Sequence, residues 1–237
     1  MDAGLSVERV RVLLVSHNHP DHYGDAEIFL EGMTHGTTQR RGTLIAAKSV
    51  LCGNEVSEPS ISKYHQGLVS ELIEARHGGS YQAEGITVQA IKAVHTDPDA
   101  VGYILEFPKT GGIGYTSDTE FYDSISDSYR GVKLLILCVM RPHGAPLRGH
   151  LSTDDAEAIV ASAKPGMAVL AHFGMRMLNE SPIAQAKFIQ DSTGIRTAAA
   201  FDGMIVSLGE EIKVTSLERE RRGSRRRGRG PRQSTLR

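Results

Sequence analysis

The sequence predicts an α/β fold on three observations. An aliphatic, β-branched run occupies residues 9–16, period-two runs fill much of 86–116, and from residue 132 onward strand-like apolar runs alternate with helical segments. Arg9 to Ser16 reads as a strand that ends directly at a histidine cluster. Asp25 to Met33 suits a short helix, Thr34 to Gly42 is a polar loop, and Thr43 to Val50 is apolar enough for either a strand or a helix start. Ile86 to Val94 alternates with period two and delivers His95, and Val101–Phe107 and Gly112–Thr116 continue the meander. Val132–Met140 reads as a buried strand, Ser152–Ala163 as a helix, Met167–Ala171 as a strand and Pro182–Thr193 as a second helix. Thr153-Asp154-Asp155 offers the first of these helices an N-cap and an acidic first turn, and Lys164-Pro165-Gly166 supplies its stop. Ala198–Phe201, Met204–Leu208 and Glu211–Thr215 are expected as short closing strands.

Composition sets the organisation. A chain of 237 residues with 40% hydrophobic content is long enough for one sizeable domain, expected over residues 1–216. Residues 217–237 read as a disordered Arg-rich tail, because they hold almost nothing that a core could bury. The net charge of −1 hides an asymmetry: residues 218–237 carry nine Arg against two Glu, which leaves the rest of the chain at −8. Cys52 and Cys138 both sit in apolar runs, where a buried thiol is the ordinary reading, and two cysteines make no disulfide framework. With no membrane-length apolar stretch and no signal-peptide pattern at Met1–Ser6, the expected location is the cytoplasm.

The chemistry concentrates in His17-Asn18-His19-Pro20-Asp21-His22, three imidazoles and a carboxylate within six residues. In extended backbone His17 and His19 point to one side, and Pro20 turns the chain so that Asp21 and His22 approach from another. Neutral imidazoles beside a carboxylate, with no Lys or Arg among them, suit divalent cations of zinc-like character. His35, His65 and His77 read as ordinary surface or satisfied histidines.

His-x-His-x-Asp-His after an apolar strand resembles the signature of the metallo-β-lactamase superfamily. His95 closing a strand, Asp118 in Gly-Tyr-Thr-Ser-Asp-Thr and His172 in Val-Leu-Ala-His-Phe-Gly resemble the later ligand segments in order, so the likeness spans residues 2–208. It implies an αββα sandwich and two divalent metal ions, zinc first, with manganese or iron as alternatives. It further implies His17, His19 and His95 on one ion, Asp21, His22 and His172 on the other, and Asp118 bridging both. A carboxylate can span two cations ~3.5–4 Å apart, leaving between them a shared water acidic enough to attack a substrate as hydroxide.

Gly149-His150-Leu151-Ser152-Thr153 places a further histidine 22 positions before His172, which resembles the phosphodiesterase branch that includes the transfer-RNA 3′-end nuclease tRNase Z. The candidate catalytic residues are therefore His150, which would assist a departing phosphate oxygen, and Asp21. His150 also has a plain reading, as a neighbour of the helix cap at 152. Arg176, in Ala-His-Phe-Gly-Met-Arg, is either a phosphate contact or an ion-pair partner, and His143 reads first as a surface-loop residue.

Two departures temper this branch. The family pattern carries strands ahead of a segment like Asp2-Ala3-Gly4, so about fifty residues look absent, the first sheet is expected to be incomplete with an uncovered edge, and that edge invites a homodimer. Residues 34–85 also lack a long basic arm of the kind transfer-RNA nucleases use. A small or cyclic phosphodiester is then as suitable a substrate as RNA. The alternatives are a carbon-centred hydrolase of a lactone, thioester or lactam, or a non-catalytic protein that binds nucleic acid through its Arg-rich tail.

Overall fold

A computed structural model describes residues 4–217 of the chain. Residues 1–3 lie outside the described residues, as does the tail expected from 217 except for Leu217 itself.

Three parallel strands, β1 (Val12–Val15), β2 (Thr43–Ala47) and β3 (Glu71–Ala75), form the first sheet in that order. Between β1 and β2 lie helices α1 (Pro20–Tyr23) and α2 (Ala26–Met33), and between β2 and β3 lie α3 (Lys48–Cys52) and α4 (Lys63–Gln66). The central β2 is buried at every position, which is why Thr43–Val50 shows no strand periodicity: a strand covered on both faces reads as a plain apolar run. That run contains both of its expected alternatives, β2 followed at once by α3. Among the described residues β1 and β3 each pair only with β2, so both are outer strands of the first sheet.

The second sheet has eight strands. Its main path runs β11 (Thr197–Ala199), β10 (Met167–Ala171), β8 (Leu134–Arg141), β7 (Gly111–Tyr115), β6 (Val101–Phe107), β5 (Ile86–Lys92) and β4 (Ser80–Ala83), and β9 (Leu151–Ser152) pairs with β8 beside it. The predicted meander is the antiparallel run β5 to β7, which β4 extends, and the predicted α/β layer lies in the parallel part, β8 to β11. Strands β3 and β4 were not anticipated, because Glu71, Glu74 and Gln82 interrupt the apolar alternation.

One face of the second sheet packs on α5 (Ile125–Ser128), α6 (Thr153–Ala163) and α8 (Pro182–Thr193) through Ile104, Leu135, Leu137, Val139, Ile159 and Ile189. Its other face meets the first sheet through Val88, Ala90 and Tyr103, and meets the hairpin β12 (Met204–Leu208)–β13 (Ile212–Ser216) through Leu134, Met167 and Val169. A short helix α7 (Met175–Asn179) precedes α8. Helix α6 is capped by Ser152, one residue earlier than expected. The Ser152 Oγ accepts from the Asp155 N–H while the Asp155 carboxylate accepts from the Ser152 N–H, satisfying two otherwise orphaned donors. Cys138 is buried as expected, but Cys52 ends α3 on the surface, where its thiol is exposed.

Candidate metal centre

The seven residues expected as ligands converge from four separate segments, each following the end of a strand. β1 runs out into Ser16 and His17, and α1, started by Pro20 at its first position, turns Asp21 and His22 back toward the strand end. His95 follows β5, Asp118 follows β7, and His172 follows β10. β5, β7 and β10 point the same way within the second sheet, so their carboxyl ends share one edge, and the loop leaving β1 meets them there through His17 and His19. Ser117 and His172 take left-handed backbone conformations, with φ of 60° and 59°, a cost of order 1–3 kcal/mol each that the packed sheets must hold in place.

The donors form two linked halves. In the first, His17 Nε2 and His95 Nε2 each lie 3.1 Å from His19 Nδ1. The outer nitrogens of this half are occupied: the His95 Nδ1–H donates to the Gly149 carbonyl at 2.8 Å, and His17 Nδ1 faces the hydroxyls of Ser16 (3.1 Å) and Ser117 (3.3 Å). Such bonds set the tautomer, leaving Nε2 of both rings as a lone-pair donor aimed inward. In the second half, His172 Nε2 lies 3.1 Å from both His22 Nε2 and Asp21 Oδ2. Asp118 has its oxygens 3.5 Å from His22 Nε2 and from His172 Nδ1 of the second half, and its carboxylate also groups with His17 and with His95 of the first, so it joins the two. Each group of three donors has its ligating atoms within 4.8 Å of one another.

Two observations test whether a cation fits. Asp118 Oδ1 and His172 Nδ1 are buried with no hydrogen-bond partner among the described residues, although a buried polar atom left bare costs about 1–3 kcal/mol. The facing nitrogens, moreover, need no proton between them if a cation takes their lone pairs. The electrostatics point the same way. Burial, reinforced by the neighbouring His22, pushes His17 down to about 3, and burial also lowers His95, so both rings are neutral ligands at physiological pH. Burial opposes ionisation of Asp118, but a hydrogen bond from His22 and the nearby His172 and His150 outweigh it and hold the carboxyl at about 2. The cluster is therefore able to hold metal, and its nitrogen-rich donor set suits zinc-like ions.

His150 lies beside the cluster, with its Nδ1 3.5 Å from Asp118 Oδ2 and its ring centroid 5.0 Å from that of His95. Its own loop orients it. The Gly149 N–H donates to the Glu120 carboxylate, and Gly149 has φ of +80° with the space for a Cβ only 3.2 Å from His95 Nδ1, so only glycine brings this carbonyl under His95. Other candidates stand apart. Arg176 pairs with Glu180 one helical turn on, His143 pairs with Asp154 on an exposed loop, and His65 bonds Glu27 and Glu31. Asp21 and His22 also line a 490 Å³ cavity walled by Leu13, Leu14 and Phe29, which gives room for an organic group next to the second half. Glu120, Gly149 and the buried Asp97 escaped sequence reading, since a lone acid or glycine between strands carries no spacing signal.

A beta-lactamase superfamily domain matches residues 3–173. An uncharacterised protein of Methanocaldococcus jannaschii is 36% identical over 206 residues, covering 86% of this chain and 76% of its own length. A metal-dependent hydrolase of Koribacter versatilis is 27% identical over 203 residues (78% and 75% of the two chains), and a ribonuclease Z of a Bradyrhizobium species is 34% identical over 93 residues (38% and 30%). Among solved structures, the metallo-β-lactamase fold protein YhfI of Bacillus subtilis superposes with a TM-score of 0.65 at 16% identity, over 82% of this chain and 76% of that one. On the matched domain and the shared arrangement of sheets and helices, this chain belongs to the beta-lactamase superfamily domain family and has the metallo-β-lactamase fold.

Proposed function

We propose that the chain is a two-metal hydrolase of phosphodiesters, with His17, His19 and His95 holding one divalent ion, Asp21, His22 and His172 the other, and Asp118 bridging. When bound, the ions supply Lewis acidity and an acidified water for attack on phosphorus. Asp118 suits the bridging role because its carboxylate lies within ligating reach of residues of both halves, His17 and His95 on one side and His22 on the other. Asp21 is exposed at the rim beside His172 and is the ligand nearest to an arriving substrate.

The observation that carries the phosphodiester reading is His150. It reaches Asp118 without belonging to either three-residue half assigned above, which leaves its other ring nitrogen free to meet a leaving group. Burial lowers its basicity against the opposing pull of Asp118, so at neutral pH the ring is uncharged. The neutral ring carries a single N–H, and with that proton on the nitrogen away from Asp118 it stabilises the departing oxygen as a donor rather than as a charged acid. The partial likeness to a ribonuclease Z supports the same branch. A second reading, a carbon-centred hydrolase of a lactone or thioester, is favoured by the apolar wall of Leu13, Leu14 and Phe29 beside Asp21.

The test is turnover of bis-p-nitrophenyl phosphate, a short RNA, a lactone and a thioester by zinc- or manganese-loaded protein and by His150→Ala. The phosphodiester reading expects the first two to be cleaved and the variant to lose about 10²-fold or more in kcat. Turnover of the lactone or thioester alone, with no effect of His150→Ala, defeats it.

A further inference from the structure

We infer that Asp97 is a positioning residue for the three-histidine half: its buried carboxylate ties together the two chain segments that carry His17, His19 and His95. The inference rests on the reading that this cluster holds metal. Asp97 is only 3% exposed and lies outside every group of donors able to hold an ion. Its Oδ2 accepts from the backbone N–H of Asn18 at 2.8 Å and from the Ser49 hydroxyl at 2.6 Å, and its Oδ1 accepts from the Asn54 amide at 3.2 Å and the Asp99 N–H at 3.0 Å. Asn18 is the residue between His17 and His19, and Asp97 is two residues past His95.

One carboxylate thus fixes the peptide between two ligands and the turn after the third. The Asn18 side chain extends the tie by donating to the Ser49 and Glu58 carbonyls and the Ser57 hydroxyl, so the loop that carries the histidines is bolted to α3 and the loop behind it. The arrangement also sets a buried negative charge behind three neutral imidazoles, which favours a divalent cation in front of them. Asp21, His22 and His172 have no comparable support: the Asp21 side chain is 62% exposed, and among the described residues neither imidazole of that half hydrogen-bonds to a group outside the cluster. Losing Asp97 should therefore cost one half and spare the other.

The experiment is a zinc titration of the full chain, by calorimetry or against a chromophoric chelator, with and without Asp97→Asn in two backgrounds. His172→Ala keeps the three-histidine half, and His17→Ala keeps the other. Asn matches the shape of Asp but cannot accept at both positions, so the tie to Asn18 and Ser49 or the tie to Asn54 and Asp99 is broken. In the His172→Ala background Asp97→Asn is expected to weaken zinc binding about 10–100-fold, and in the His17→Ala background by less than about twofold. Equal losses in both backgrounds, or none in either, overturn the inference. The metal-free unfolding midpoint is recorded for each protein; if Asp97→Asn does not fold, Ser49→Ala, which removes a single donor, must give the same order with a smaller loss. Wild-type protein that binds no zinc overturns the metal reading as well, whereas zinc-binding wild type with an indifferent Asp97→Asn overturns this inference alone.

Discussion

The two halves of the donor cluster, three histidines in one and two histidines with an aspartate in the other, differ above all in what stands behind them. His17 is fully buried, and the rings of His17 and His95 are fixed from outside by Ser16, Ser117 and the Gly149 carbonyl. Asp21 is exposed and lines an open cavity together with His22, and His172 Nδ1 has no hydrogen-bond partner among the described residues. The difference is one of preorganisation: the backed half has spent its conformational freedom in folding, and the open half keeps the freedom that a site admitting substrate needs.

The largest effect should come from the residue the halves share. Asp118→Asn keeps the shape but removes the charge, and kcat/KM on whichever substrate is turned over should fall by more than about 10³-fold, or ~4 kcal/mol of transition-state stabilisation. A loss confined to KM would mean the carboxylate serves binding alone. Metal release should then separate the halves. During dialysis against a weak chelator, the His17→Ala protein is expected to lose its zinc at least about tenfold faster than the His172→Ala protein. The reverse order would break the comparison.

A pH titration of the metal-free protein sharpens it further. His17 and His95 are held below the ordinary imidazole value mainly by burial, His17 at about 3, so the unfolded chain takes up protons that the folded chain refuses. Their contribution to stability is complete above about 6.5 and is lost as pH falls from there toward 3, on the order of a few kcal/mol in all. Thermal unfolding in a chelator from pH 8 to pH 4 should show this slope, as an approximate range. His17→Ala should flatten it, and an unchanged slope in that variant would place the proton uptake elsewhere. The smallest effect is expected at Arg176, whose exposed pair with Glu180 is worth about 0.2–1 kcal/mol. Arg176→Ala should leave kcat and KM unchanged, and a raised KM on phosphodiesters would make it a phosphate contact after all.

The elements with a strong local signal were legible in the sequence. β5, β6 and α8 have the expected extents to within two residues, because alternation, or a proline start with a glycine stop, states its own boundaries. β3 was hidden by Glu71 and Glu74, which a strand at the edge of a sheet tolerates where a central one does not. The surface placement of Cys52 was equally hidden, since a helix of five residues leaves no period from which to tell its faces.

The order of ligand-like residues, from the run at 17–22 through His95 and Asp118 to His172, was written in the sequence by itself, and so was their attachment to strand ends. Those are local facts about residue type and the segment before it. That Asp118 reaches residues of both halves, that Gly149 turns its carbonyl under His95, and that Asp97 binds the peptide between His17 and His19 were decided only by the tertiary structure. Such contacts join residues 54 to 96 positions apart and depend on packing two sheets to within a hydrogen-bond length, which no local pattern encodes.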